Sequence, residues 1–298
     1  MSSHVASITA AASGTVTLGG EVTVNRLGFG AMRLTGPGIW GPPKDRQAAI
    51  AVLRRAAELD INFVDTADSY GPGVSEELIA EALYPYPKGF VIATKGGWNR
   101  PGPGQWTHDS SPIHLREAIE GSLKRLRVNR IELYQLHTPD PAISFEASVQ
   151  TLAELKAEGK IRLIGLSNVT REHIERARKI TQIVSVQNRY SVFDREWDFV
   201  VDYCQQNGIA FIPWFPLGAG GVGHDVLSRI AHAHHAKPIQ IATAWLLQRS
   251  PEMLPIPGTS STEHLEENVA AATIRLSEEE FRQLDEVNGK TTAGRVRG

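Results

Sequence analysis

From Arg26 onward the chain alternates short runs of β-branched and aliphatic residues with longer segments whose apolar positions recur at i, i+3, i+4 and i+7. Eight short runs read as strands: RLGFGAM, INFVDTA, FVIATKG, IELYQLH, IRLIGLS, IVSVQN, IAFIPWF and MLPIPG. The segments between them read as amphipathic helices. In DRQAAIAVLRRAAEL, for example, Ala49, Val52, Leu53 and Ala56 fall on one face. Boundary signals agree with this division. Ser75 precedes EELIAEAL, Ser111-Pro112 opens IHLREAIEGSL, and Ser277 with Glu280 has the spacing of a capping box. Gly159 stands where a helix must stop before IRLIGLS.

Strict alternation of near-continuously apolar strands with helices predicts an α/β fold whose parallel sheet is covered by helices. Eight units favour a single (β/α)8 TIM barrel. An earlier run, TVTLGGEVTV, alternates around Gly19-Gly20 and predicts an N-terminal β-hairpin outside the repeat, plugging one barrel end. No linker divides the chain, so residues 14–298 are expected to form one barrel domain behind a loose tail, residues 1–13.

Composition narrows the possible roles. The net charge is −2, from 31 basic and 33 acidic residues, so neither nucleic acid nor an anionic membrane is the expected partner. No apolar run is long enough to span a bilayer, and the first residues lack the form of a signal peptide. The single cysteine, Cys204, admits no internal disulfide, which suits the reducing cytoplasm. No heptad seam or long apolar edge marks a partner surface, so a monomer is the default.

In a barrel of this kind the chemistry lies at the C-terminal ends of the strands. The second strand ends in Asp65, with Tyr70 five residues on. The third ends in Lys95, the fourth in His137, the fifth in Ser167-Asn168, the sixth in Gln187-Asn188, and the seventh runs into Trp214. Singly, each is as well explained as a helix cap, a solvated charge or a core side chain. Together, Asp65, Tyr70, Lys95 and His137 make a coherent set. Asp65 can hold the Lys95 charge, and an ammonium beside a phenol favours phenolate and lowers its pKa, which makes Tyr70 a usable general acid. His137 can hydrogen-bond a carbonyl oxygen as it becomes an alkoxide. None of the four can deliver hydride, so a cofactor is required.

The motifs DTADSYG, ATKGG, LYQLHTPD, GKIRLIGLSN, VQNRYS and IPGTSSTEHLEEN resemble those of the aldo-keto reductases, in order and at similar spacing. The resemblance implies a catalytic tetrad of Asp65, Tyr70, Lys95 and His137 and a nicotinamide dinucleotide bound without a Rossmann domain. It also implies that Gly30, Ala31 and Met32 border the cofactor together with Asp65. Ser167, Asn168 and Gln187 would hold the nicotinamide amide, and Trp214 would stack on the ring. Thr259, Ser260 and Ser261 would take the adenosine 2′-phosphate, with Glu267 and Asn268 near the adenine. Many NADPH-dependent members carry Lys where Gly258 stands and Arg where His264 stands. NADP(H) is therefore expected over NAD(H), but with a weakened phosphate site.

The run Gly218–Gly223 matches G-x-G-x-x-G but lacks the acidic residue that a Rossmann fingerprint needs downstream. It reads instead as a Gly-rich loop whose N–H groups approach the pyrophosphate, with Pro216, Leu217, Gly218 and Gly220 as contacts. Trp40, Trp98, Trp106 and Phe215 are candidates for an aromatic substrate pocket. His232, His234 and His235 miss metal-ligand spacing, so no metal is expected. The expected activity is reduction of aldehydes or ketones to alcohols. Two alternatives stay open: a Schiff-base barrel with Lys95 as nucleophile, and a nucleotide-binding sensor without turnover.

Overall fold

The computed structural model of the protein describes residues 8–215 and 225–287. The chain opens with a 3-10 turn, Ala10–Ser13, and an antiparallel hairpin of β1 (Thr15–Leu18) and β2 (Val22–Asn25). Short β3 (Phe29–Gly30) follows, then α1 (Arg46–Glu58), β4 (Phe63–Asp65), α2 (Val74–Leu83) and β5 (Val91–Gly96). A two-residue hairpin, β6 (Trp98–Asn99) with β7 (Thr107–His108), interrupts the repeat before α3 (Pro112–Leu126). The rest runs β8 (Ile131–Leu136), α4 (Phe145–Ala157), β9 (Ile161–Ser167), α5 (Arg171–Arg178), β10 (Ser185–Gln187), α6 (Asp198–Gln206) and β11 (Ala210–Phe211). Four helices complete it: α7 (Asp225–Ala233), α8 (Pro238–Arg249), α9 (Thr262–Ala270) and α10 (Glu278–Glu286).

The main sheet has seven parallel strands in the order β11-β10-β9-β8-β5-β4-β3. The eighth expected strand, MLPIPG, is not a regular strand. Its backbone nevertheless closes the ring: Phe211 N–H donates to Glu252 O at 2.8 Å, Leu254 N–H to Phe211 O at 2.8 Å, and Gly28 N–H to Pro255 O at 3.0 Å. Pro255 and Pro257 have no N–H to give, which leaves too few ladder bonds for a strand.

The hairpin plugs one end of this ring. Val16, Leu18 and Val24 are buried against Phe63, Val91 and Leu163 in the barrel interior. Its turn needs left-handed backbone at both Gly19 (φ +61°) and Gly20 (φ +77°). The expected loose tail ends before residue 13, because Ala10 is fully buried and its N–H donates to Leu59 O at 2.8 Å. The expected Ser75 cap is also corrected. Helix α2 begins behind Gly73 with no side-chain cap, and Ser75 is buried, accepting from Thr66 Oγ1 at 2.8 Å. Ser111 and Ser277 do cap α3 and α10.

Strand alternation selects what enters the interior. On β5, Val91 and Ala93 face the barrel core while Ile92 packs outward toward the helices. Lys95 continues the inward register. The same parity places Asp65 after Phe63, Gln135 and His137 after Leu133, and Ser167 after Leu163. A period of two thus gathers polar side chains at one end of an apolar tube.

Candidate active site

Asp65 is buried at the end of β4 and accepts three hydrogen bonds. Lys95 Nζ donates to Oδ2 at 2.6 Å, Gln187 Nε2 to Oδ1 at 2.8 Å, and Gln135 Nε2 to Oδ1 at 3.2 Å. Lys95 is fully buried and also donates to Thr66 O at 2.8 Å. A buried ion pair persists only when its remaining hydrogen-bonding capacity is met, and here two amides and a carbonyl meet it. Burial would lower the Lys95 pKa, but Asp65 and Tyr70 outweigh it, so the ammonium is held above its usual range.

Tyr70 reaches this pair from the turn after β4. Gly71, at φ +96°, makes the turn, and a Cβ there would stand 2.4 Å from Val74 Cβ. The Tyr70 ring lies 5.3 Å from Lys95 Nζ and edge-on to His137, 5.9 Å between centroids. The sequence argument expected the phenol pKa to fall. It rises instead, because burial of the phenolate outweighs the Lys95 charge. Burial, then Lys95, hold the His137 pKa well below 6.5, so the imidazole is neutral. His137 Nδ1 is buried and has no hydrogen-bond partner among the described residues.

These groups open onto a cavity of about 930 Å³. Of the residues expected at the site, Gly30, Met32, Asp65, Tyr70, Trp98, Trp106, His137, Ser167, Asn168, Gln187, Trp214, Phe215, Gly258, Thr259, Ser260, His264, Glu267 and Asn268 line it. Lys95 does not, since it lies beneath the floor. Ala31 is buried in the 3-10 turn after β3, and the Ser261 hydroxyl is taken as the α9 cap, accepting from His264 N–H. Trp40 does not line the cavity either. It bridges to Gly71, and its ring faces the Arg100 guanidinium at 5.5 Å. Pro216, Leu217, Gly218, Gly220 and the rest of the Gly-rich loop lie outside the described residues.

Sequence reading missed Gln135, whose position inside a strand hid its amide. It also missed Arg33 and Lys237, which line the cavity. Lys237 pairs with Glu267. Arg33 has no hydrogen bond or ion pair among the described residues, and with Met32, Ile39 and Ser260 it also lines an adjoining cavity of about 660 Å³. A cation three residues beyond a strand-end glycine was the available signal.

The cavity also explains Gly258. A Cβ there would meet Gly30 O at 2.5 Å, and a Cβ at Gly30 would meet Ile256 O at 2.7 Å. Two backbones touch, leaving a groove walled by main chain beside Thr259, Ser260 and the start of α9. Such a groove fits a dinucleotide phosphate approached by N–H groups and hydroxyls.

A buried Lys–Asp pair beneath a phenol and a neutral imidazole, facing a cavity of about 930 Å³, is an arrangement suited to carbonyl reduction. The model of the aldo/keto reductase family matches residues 26–289, and the chain belongs to that family. It is an oxidoreductase whose activity is nicotinamide-dependent carbonyl reduction. An uncharacterized oxidoreductase of Schizosaccharomyces pombe is 51% identical, over 94% of this chain and 91% of its own. A pyridoxine 4-dehydrogenase of Escherichia coli is 45% identical over 93% of this chain and 99% of its own. An aldo-keto reductase from Klebsiella pneumoniae, solved in complex with NADPH, is 26% identical, with a TM-score of 0.79 over 92% of this chain and 94% of that one. No helix among the described residues is long and apolar enough to cross a membrane.

Proposed function

We propose that the protein interconverts an aromatic aldehyde of the pyridoxal type and its alcohol, with NADP(H) rather than NAD(H) as cofactor, acting as a cytoplasmic monomer. The observation that carries the mechanism is the buried 2.6 Å Lys95–Asp65 pair directly under Tyr70 and His137. Bound reduced nicotinamide supplies the hydride. Tyr70 supplies the proton to the carbonyl oxygen, and the Lys95 charge beneath it eases the loss of that proton. Neutral His137 orients the carbonyl by donating a hydrogen bond to its oxygen. Asp65 fixes Lys95 and keeps it charged, which also disfavours Lys95 as a Schiff-base nucleophile.

Ser167 and Asn168 are assigned to the nicotinamide amide. Asn168 Nδ2 already donates to His137 O at 3.0 Å, which ties that strand end to the reacting histidine. Gln187 is assigned there through its carbonyl oxygen, since its amide N–H serves Asp65. Trp214 offers the stacking face. Thr259, Ser260, His264 and Arg33 are assigned to the phosphate end, and Glu267 and Asn268 to the adenine. Support for the substrate class comes from the 45% identity to a pyridoxine 4-dehydrogenase and from the tryptophans Trp98 and Trp106 in the cavity wall. The test is loss of NADPH absorbance with pyridoxal, pyridine-4-carboxaldehyde and propanal. Preferred turnover of the pyridine aldehydes is expected; equal or better use of propanal would sink the substrate assignment.

A further inference from the structure

Arg100 sits between β6 and β7, outside the cavity lining, and has no acidic partner among the described residues. Its guanidinium is instead spent on main-chain carbonyls. Nε donates to Gln105 O at 2.9 Å, Nη1 to Ile39 O at 3.0 Å and to Ser69 O at 2.8 Å, and Nη2 to Gly38 O at 3.1 Å. The carbonyls belong to three loops: the one after β3, the turn carrying Tyr70, and the β6–β7 connection. One face of the guanidinium stacks on Trp106, 3.7 Å from the ring centroid, and Trp40 lies 5.5 Å away. A planar fork can do this where an ammonium cannot.

The contacts continue to the reacting groups along two routes. Ser69 is the residue before Tyr70. Trp106 meets Trp98 edge-on at 5.8 Å, and Trp98 meets His137 edge-on at 6.3 Å. The aromatic wall beside the acid and the imidazole is therefore braced from behind by one side chain. We propose that Arg100 is a positioning residue that sets the width of the substrate opening and so confers selectivity for planar aromatic aldehydes. The inference rests on the reading of this cavity as the carbonyl site. Small aliphatic aldehydes do not need the wall and are insensitive to Arg100.

The test compares wild type, Arg100→Ala and Arg100→Lys with pyridine-4-carboxaldehyde and propanal, together with NADPH titration by tryptophan fluorescence. In both variants KM for the aromatic aldehyde is expected to rise about tenfold or more. KM for propanal and the NADPH Kd are expected to stay within about twofold. A parallel rise for both aldehydes, or full recovery in Arg100→Lys, overturns the proposal. If Arg100→Ala does not fold, Arg100→Lys carries the comparison, since an ammonium cannot hold the four carbonyls as a planar fork and stack on Trp106, and the same selective rise is expected. Acrylamide quenching, read as the difference between each protein and its Trp106→Phe counterpart, gives a readout independent of turnover. Greater access to Trp106 in Arg100→Ala supports the brace, and unchanged access overturns it. Wild-type turnover of the aromatic aldehyde tests the cavity reading by itself, so the two failures are distinguishable.

Discussion

The two ends of the large cavity are built on opposite principles. At the end proposed for the reaction, the Lys95 and Asp65 charges are buried and engaged. Lys95 and Asp65 are locked at 2.6 Å, with Gln135, Gln187 and Thr66 completing their hydrogen bonds. At the end proposed for the nucleotide the groove is backbone and hydroxyl, with Gly258 pressed on Gly30, and the nearby cations Arg33 and Lys237 are exposed, as is His264. A group that must hold a proton at one point gains from rigid, desolvated partners. A group that must bind and release a polyanion is served by exposed cations, whose attraction is softer and screened by salt.

The largest effect that would sharpen this contrast is at Lys95. Lys95→Ala strands the Asp65 carboxylate in the barrel, and stability is expected to fall by about 3–5 kcal/mol in denaturant unfolding. Reductive kcat is expected to fall by roughly 10²–10⁴-fold. Near-normal kcat would break the claim that the buried charge serves the chemistry. At the other end, Arg33→Ala should raise the NADPH Kd about tenfold, the scale of one charge-assisted contact, and leave the NADH Kd and kcat nearly unchanged. An equal loss for both nucleotides in fluorescence titration would move Arg33 to the pyrophosphate. Placing Lys at Gly258 is not a remedy, because its Cβ would collide with Gly30 O at 2.5 Å.

A smaller effect concerns Asp68, behind the reaction end. Its Oδ1 is buried with no hydrogen-bond partner among the described residues, and burial, reinforced by the Glu76 carboxylate, lifts its pKa from 3.8 to about 8. A carboxyl with a raised pKa binds its proton more tightly when folded, so its contribution to stability falls as pH rises from 3.8 to about 8. Asp68→Asn should therefore gain in Tm relative to wild type between about pH 5 and pH 8, measured by calorimetry. A Tm difference that does not vary with pH would show that folding leaves this carboxyl's pKa unshifted.

Much of this was legible in the sequence because the signals are periodic. The βα alternation, the Gly19-Gly20 hairpin and the strand-end Asp65, Lys95 and His137 all follow from which residues share a face. The eighth strand misled because hydrophobic content shows no missing N–H, and two prolines removed the ladder. The direction of the Tyr70 shift misled because a charge pair can be read from spacing, whereas the depth of burial that opposes it cannot. Gln135 and Arg100 were hidden for a related reason. One lies inside a strand, and the other acts through carbonyls of residues up to 62 positions away.

The central claim is that proton supply and cofactor binding reside in separate parts of one cavity. Tyr70→Phe tests it most directly, by single-turnover oxidation of NADPH with pyridoxal beside a fluorescence titration of NADPH. The account predicts a loss of turnover of roughly 10²–10⁴-fold with the NADPH Kd unchanged. Turnover close to wild type, or a Kd that weakens in step with the rate, would contradict it.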